Sequence, residues 1–328
     1  MKYLPTLLRR LLPALALTAV AVAAQAAYPE QPIRMIVAYA PGGGTDLTAR
    51  LIAPYIARYL GNNASIVVVN RSGAGGGIGF AELANAPADG YTIGFINTPN
   101  VLTIPIERKS NFHWTGYDLL GNVIDDPGNF SVHNDTPIRN LGELVAYAKA
   151  NPGKVTYGTT GIGSDDHLAA MLFERAAGVQ LTHVPFKGAS EVHQGVVGKQ
   201  IFMASMNVGE AMQYEKGGSP MHNLGQMSAA RTNLAPGLPT FKEQGFDIVM
   251  ASLRGIAAPK GLPAAVKEQL ASAVQKAAND PEFQAKAAAA FAPLRYLPPA
   301  KYEAELKTTE ASFKQLWKEM PWGENGAK

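Results

Sequence analysis

The residues of this 328-residue chain that could do chemistry are few, and their spacing is informative. There is no cysteine, so thiol nucleophiles, thiolate metal ligands and disulfides are all excluded. The six histidines (His113, His133, His167, His183, His193, His222) show no metal-ligand spacing, no H-E-x-x-H helix occurs, and no G-x-S-x-G elbow presents a serine. Ser72 and Ser164 are the serines nearest to special backbone, and a hydrolase would have to use one of them without an evident base. What recurs instead is an apolar strand, a glycine-rich turn and a helix: "VAYAPGGGTDLTARLIAPYI" from residue 37, "IVVVNRSGAGGGIGFAELA" from residue 66 and "VTYGTTGIGSDDHLAAMLF" from residue 155.

A helix N-terminus presents unpaired backbone amides and a partial positive charge, so a glycine turn leading into it receives an anion without a charged side chain. Nucleotide fingerprints fail on counting. G-x-G-x-x-G would need glycine where Ile78 or Leu47 stands, and no G-x-x-x-x-G-K-[ST] is present. A small carboxylate is the better match. Asp46 sits where it would compensate a helix dipole, and Ser164 is the natural N-cap of the third helix. Asp165 and Asp166 would repel a bound carboxylate unless one faces away or meets a ligand amine or hydroxyl. His167 reads as a packing residue of that helix. Lys187, in "VPFKGAS", stands at a strand end where it could charge a cleft.

The elements that must position these loops follow from periodicity. Strands are expected at 33–40, 65–70 and 91–97, with a helix over "DLTARLIAPYIARYLG" from Asp46, stopped at Gly61, whose apolar face carries Leu47, Leu51, Tyr55 and Ile56. Pro54 should bend or weaken that helix. A second α/β unit restarts after residue 140, with helices at "LGELVAYAKANPG", "DHLAAMLFERAAG" and "ASEVHQGVVG" and strands at "KVTYGTT", "LTHVPFKG" and "IFMASMN". A Pro-rich return leads into an Ala-, Lys- and Glu-rich helical tail, broken at Asp280-Pro281 and again at 297–299. This alternation predicts parallel sheets covered on both faces, with a ligand cleft outside the strand carboxyl ends.

The first 26 residues have the three parts of an export signal: Lys2, Arg9 and Arg10, an apolar run from Leu11 to Ala24, and Ala24-Gln25-Ala26 as the cleavage site, with Ala27 as the alternative end. An apolar run of about 14 residues falls short of the roughly 20 that span a bilayer. The signal carries three of the 29 basic residues and no acidic one, so the remainder balances its 26 Asp plus Glu. A neutral mature chain with no basic, aromatic-interleaved patch lacks the footprint of a nucleic-acid binder.

The ordered set "YPEQPIRMIVAYAPGGGTDLTARLIA", "NRSGAGGGIGF" with "PADGYTIGF", "NPGKVTYGTTGIGSDDHLAA", "THVPFKGAS" and "LPTFKEQGFDI" with "RGIAAPKGLP" resembles the periplasmic substrate-binding receptors of tripartite tricarboxylate transporters, the Bug family, from Tyr28 to about Trp317. The resemblance implies a type II periplasmic-binding-protein fold: two α/β domains, 27–126 plus 248–328 and 127–247, closing over a small organic acid that is passed to membrane transporter subunits. It implies a periplasmic, monomeric, non-catalytic receptor that needs no cofactor or metal and binds no nucleic acid. Carried over by motif, ligand contacts fall on Gly43, Gly44, Thr45 and Asp46 in the first loop and on Ser72, Gly73, Ala74 and Gly75 in the second. Asn97 and Thr98 lie at the third strand's end. The second domain contributes Thr159, Thr160, Gly163, Ser164 and Asp165, with Lys187 and Asn207 behind them. Two departures stand out. Leu253 replaces the tryptophan that many members carry before the glycine corresponding to Gly255, which leaves Arg254 as a charged contact. The stretch around Asp125, Asp126 and Asn129 is also more polar than the apolar strand that the resemblance implies. Competing readings are an amino-acid receptor in which Asp165 or Asp166 meets an ammonium, a sensory receptor, and an exported hydrolase.

Overall fold

The structure is a computed structural model that describes residues 28–323; the proposed signal segment therefore lies outside the described residues. Strand β1 (Ile33–Val37) is followed by helix α1 (Gly44–Leu60), β2 (Ile66–Asn70), α2 (Gly77–Ala84), β3 (Thr92–Asn97) and α3 (Asn100–Glu107). Then come β4 (Tyr117–His133), α4 (Leu141–Ala150), β5 (Thr156–Thr159), α5 (Asp165–Ala177), β6 (Thr182–Pro185), α6 (Ala189–Val197), β7 (Met203–Asn207), α7 (Val208–Lys216) and β8 (Met221–Gln226). The chain closes with β9 (Ala251–Pro259), α8 (Ala264–Ala278), α9 (Pro281–Ala289), β10 (Leu294–Leu297) and α10 (Pro299–Glu319).

The strands run in the order β2-β1-β3-β9-β4-β7-β5-β6, with β8 and β10 also paired to β4. In the first α/β domain, β1 is parallel to β2 and β3, and β9 returns antiparallel between β3 and β4. In the second, β5 is parallel to both β6 and β7. The period-2 alternation of β1 sends Ile33, Met35 and Val37 into one core with Ile52 and Ile56 of α1, Leu270 and Val274 of α8 and Phe283 of α9. Its other side faces Phe80 and Leu83 of α2 and the core that continues to Tyr302 and Leu306 of α10. The second domain buries Phe130, Tyr157, Phe173 and Phe241 together.

The element that joins the domains is β4. Residues 117–127 pair with β9 in the first sheet, whereas residues 128–133 pair with β7 and β8 in the second. The resemblance implies a strand here although the residues are polar, and every residue of β4 except Asp125 is buried. Its polar side chains make local bonds: Asn129 Nδ2 donates to Ser131 Oγ at 2.7 Å and to Asn223 Oδ1 at 2.9 Å, whereas Asn122 Oδ1 and Asn129 Oδ1 are buried without a partner among the described residues. The return crossing runs beside it, since Gly128 N donates to Met250 O at 2.9 Å and Met250 N to Met227 O at 3.0 Å. Helix α7 and strand β10 were also absent from the sequence reading. Of the face expected for α1, Tyr55 and Ile56 are buried in the core and Leu51 is partly buried against it. Ile52, Ile56 and Leu60 are buried, whereas Leu47 and Leu51 border a surface cavity with Ala290, Phe291 and Ala292, because β1 packs on the Ala49–Ile52–Ile56 stripe. Pro54 is exposed and the helix runs through it as one element.

Candidate functional site

The three glycine loops converge where the two domains meet. In the first loop a Cβ on Gly44 would overlap Arg254 Nη1 and Glu210 Oε1, so only glycine fits at the start of α1. Asp46 is buried and turned into the loop: its carboxylate accepts Gly42 N at 3.0 Å and Asn70 Nδ2 at 2.9 Å and pairs with Arg50. Burial raises its pKa, but the hydrogen bonds from Arg50, Gly42 and Asn70 outweigh that and hold it below the ordinary carboxylate range. Asp46 thus braces the loop against β2, and Gly43 packs on Ala189 of the second domain. Thr45 Oγ1 accepts Asn97 Nδ2 at 2.9 Å, while Asn97 Oδ1, equally buried, has no partner among the described residues. Thr98 fastens β3 to β9 through Leu253 N and Ser252 Oγ, at 3.0 and 2.9 Å.

In the second loop Gly73, Ala74, Gly75 and Gly76 all have positive φ, a run that brings backbone rather than side chains to the domain boundary. Ser72 is half-buried beside it. Gly75 meets the third loop so closely that a Cβ on Gly161 would lie 2.7 Å from Gly75 Cα. There Thr159 Oγ1 bonds His183 Nε2 at 2.6 Å, and Thr160 donates through N and Oγ1 to Asp166 Oδ2 at 3.2 and 2.8 Å. Ser164 Oγ accepts His167 N at 3.2 Å as the N-cap of α5, as its position in the sequence suggests. His167 Nδ1 accepts Gly163 N at 3.2 Å and its ring stacks 4.1 Å from His183. Burial pushes His167 down to about 3 and His183 to about 4, so both are neutral packing groups. The domains are drawn together by Thr103 Oγ1 donating to Gly163 O at 2.7 Å, Ser190 Oγ to Pro41 O at 2.8 Å, Tyr214 OH to Gly42 O at 3.1 Å and Ala40 N to Lys187 O at 3.1 Å. The Lys187 side chain is exposed and borders an outer cavity of about 930 Å³ with Gly75, Gly161 and Trp317.

Beneath the loops lies a buried ionic cluster. Arg254 of β9 directs Nη2 to Asp126 Oδ2 at 3.1 Å, Asn207 Oδ1 at 2.9 Å and Glu210 Oε1 at 3.1 Å. Asn207 Nδ2 reaches Asp165 Oδ2 at 2.6 Å, and Gly209 N donates to Asp126 Oδ1 at 2.9 Å. Glu210 Oε1 also accepts the Gly44 amide at 2.8 Å, so a carboxylate from the second domain is seated on the N-terminus of α1. Burial, with Glu210 and Asp165 adding repulsion against the attraction of Arg254, raises Asp126 to about 7. Burial likewise raises Asp165 to about 6, and burial with the neighbouring Asp165 and Glu210 carries Asp166 well above the ordinary range. Burial opposes the charge on Arg254, but Glu210, Asp126, Asp165 and Asp166 together keep it protonated. Between the domains a void of about 20 Å³ is bordered by Gly44, Thr45, Asn97, Asp165, Asn207, Glu210 and Arg254.

Glu210 and Asp126 were not among the residues picked from sequence. The available signal was a fourth strand-to-helix junction, "MNVGEA", which lacks a glycine run, and the two adjacent acids at the domain crossing.

The chain is similar to known proteins in sequence and in fold. A sequence model described as "Tripartite tricarboxylate transporter family receptor" matches residues 48–293. A Cupriavidus necator protein, "UPF0065 protein in gbd 5'region", is 34% identical over 275 residues, covering 83% of this chain and 82% of its own. The periplasmic binding protein BugD superposes with a TM-score of 0.83 at 30% identity, over 89% of this chain and 98% of that one. An R. palustris protein solved with adipate gives 0.83 at 25% identity, over 89% and 97%.

Proposed function

The chain belongs to the tripartite tricarboxylate transporter receptor family, a family of periplasmic solute-binding proteins, and on that footing we propose that it captures a small organic acid between its two domains and presents it to membrane transporter subunits. The observation that carries this reading is Glu210. Its carboxylate occupies a seat made by the Gly44 amide and Arg254, where a ligand carboxylate finds the same donors. Arg254 Nε is a further buried donor that has no partner among the described residues. The protein solved with adipate shows that a relative of this fold holds a carboxylate.

A void of about 20 Å³ holds about one water-sized group, so the ligand is admitted only as the domains part. The side-by-side crossing of β4 and the return segment, with Gly128 N donating to Met250 O, supports a hinge near the boundaries proposed from sequence, 127 and 248. Export through the N-terminal signal belongs to the same proposal, and no described helix is long and apolar enough to cross a membrane.

The test is a thermal-shift screen of residues 27–328, refolded to strip carried-over ligand, against mono-, di- and tricarboxylates, aromatic acids and amino acids. At about 100 times Kd a ligand adds roughly 2.7 kcal/mol, which moves the melting point by several degrees. A clear shift with one class of acid is expected; none across the panel would overturn the reading.

A further inference from the structure

One edge of the sheet is open and unguarded. Strand β2 ends the strand order and, among the described residues, pairs only with β1, in an unbroken parallel register from Ile33 and Ile66 to Val37 and Asn70. Ile33 N donates to Ser65 O and Arg71 N to Val37 O, so Val67 and Val69 turn their backbone groups to β1, while Ile66, Val68 and Asn70 turn theirs outward. Soluble proteins protect such edges with charge, proline or a bulge. The stretch "IVVVN" has none of these, and Val67 is 51% exposed.

Along this edge runs a groove of about 840 Å³, walled by Arg50, Pro54, Ala57 and Arg58 of α1 and by Ile66 and Val68 of β2. A sheet edge beside a helix seats an extended peptide, which adds a strand and sends alternate side chains toward the helix. Pro54 serves the same end: it has no N–H, so the Arg50 carbonyl lacks its helical donor and is left as an acceptor at the groove. The only charged residues on the walls, among the described residues, are the two arginines, each with half its side chain exposed. Arg50 spends Nε and Nη2 on Asp46 and Asn70, and Arg58 spends Nη1 and Nη2 on Asp280 and Glu282, which leaves Arg50 Nη1 and Arg58 Nε for an outside acceptor. Eight residues of helix rise about 12 Å and four residues of strand about 13 Å, so acids four apart on one face of an added strand come level with both arginines. A second copy of this chain is a poor occupant, because its own β2 carries no acid.

Resting on the receptor reading above, we propose that the β2 edge and the α1 groove are a docking surface for the membrane transporter subunits. The occupant is an extended segment of those subunits with acids at alternate positions. It adds to the sheet beside β2, its acids on Arg50 and Arg58 and its apolar side chains beside Val67. Strands β1, β3 and β9 separate this edge from β4, where the domains join, so the receptor stays mounted while its cleft opens and closes.

Photo-crosslinking in intact host cells tests this. The full chain, with p-benzoylphenylalanine in place of Val67, should give on irradiation an adduct that mass spectrometry identifies as a membrane transporter subunit. Val68→Pro should abolish the adduct, since proline is tolerated where an edge N–H faces outward yet removes a donor that the added strand needs. Arg58→Glu, which leaves the backbone of the edge intact, should reduce it severalfold. On the refolded protein the peptide Ac-VEVEVE-NH2 should slow amide exchange at Ile66, Val68 and Asn70, and should bind about tenfold more tightly than Ac-VKVKVK-NH2, the scale of one charge-assisted contact. Melting curves establish that each variant is folded. An adduct with a second copy, no adduct, or an adduct that survives both substitutions would overturn the proposal, as would equal binding of the two peptides. The panel of acids judges the receptor reading separately: a protein that binds an acid and gives no adduct loses the docking surface alone, and failure of every acid removes the receptor reading itself.

Discussion

At the residue scale the site turns on one arginine. Arg254 is 3% exposed and reaches Asp126 and Glu210 at 3.1 Å each, with Asn207 at 2.9 Å. Burial raises Asp126 to about 7, Asp165 to about 6 and Asp166 well above the ordinary range, so protonation removes part of the buried acid charge and the single guanidinium offsets the rest. Arg254→Met fills similar space but leaves the acids uncompensated. It should lower stability by about 3–5 kcal/mol in urea melts near neutral pH. A loss below about 1 kcal/mol would mean that the acids are neutralised without it. Arg254 was legible in the sequence as a charge replacing an aromatic contact. Its partners were not, because Asp126 and Glu210 are distant in sequence from Arg254 and from each other, and only the fold juxtaposes them.

At the element scale, the strand-to-helix junctions were the most legible features. Glycine runs mark α1, α2 and α5 because their backbones must adopt positive φ or approach another chain segment closely. Strand β4 was implied by the resemblance but not by its residue pattern: Asp126, Pro127, Gly128 and Asn129 are unlike a buried strand, and their burial is supported by hydrogen bonds at the crossing rather than by apolar packing. Helix α7 is short and rich in glutamate, so its pattern was too weak to read. The third loop rests on the stacked pair His167 and His183, whose pKa values are lowered from 6.5 to about 3 and about 4. The unfolded chain therefore takes up protons below pH 6.5 that the folded protein refuses until about pH 4, and stability from this pair is lost as pH falls through that window. In His183→Gln the slope of stability against pH between 6 and 4 should be shallower by close to one proton, measured by urea melts of both proteins. Parallel slopes would show that the ring is protonated in the fold. The carboxylates titrate in both proteins and cancel in the difference.

At the scale of the whole molecule, the two-domain α/β architecture was legible because the alternation of strands and helices restarts after residue 140 and the Pro-rich return signals a second crossing. Less legible was how tightly the domains meet. The contacts of Gly75 with Gly161 and of Thr103 with Gly163 lie between residues far apart in sequence, and they depend on backbone shape rather than residue type. The account as a whole asserts that an organic acid binds at these loops and holds the domains together. Hydrogen–deuterium exchange on the stripped protein, with and without the acid that gives the largest melting shift, tests this most directly. The predicted result is slowed exchange at Gly43–Asp46, Ser72–Gly76 and Gly161–His167 together, two stretches from the first domain and one from the second. Binding that slows exchange elsewhere and leaves those three stretches unchanged would contradict the account.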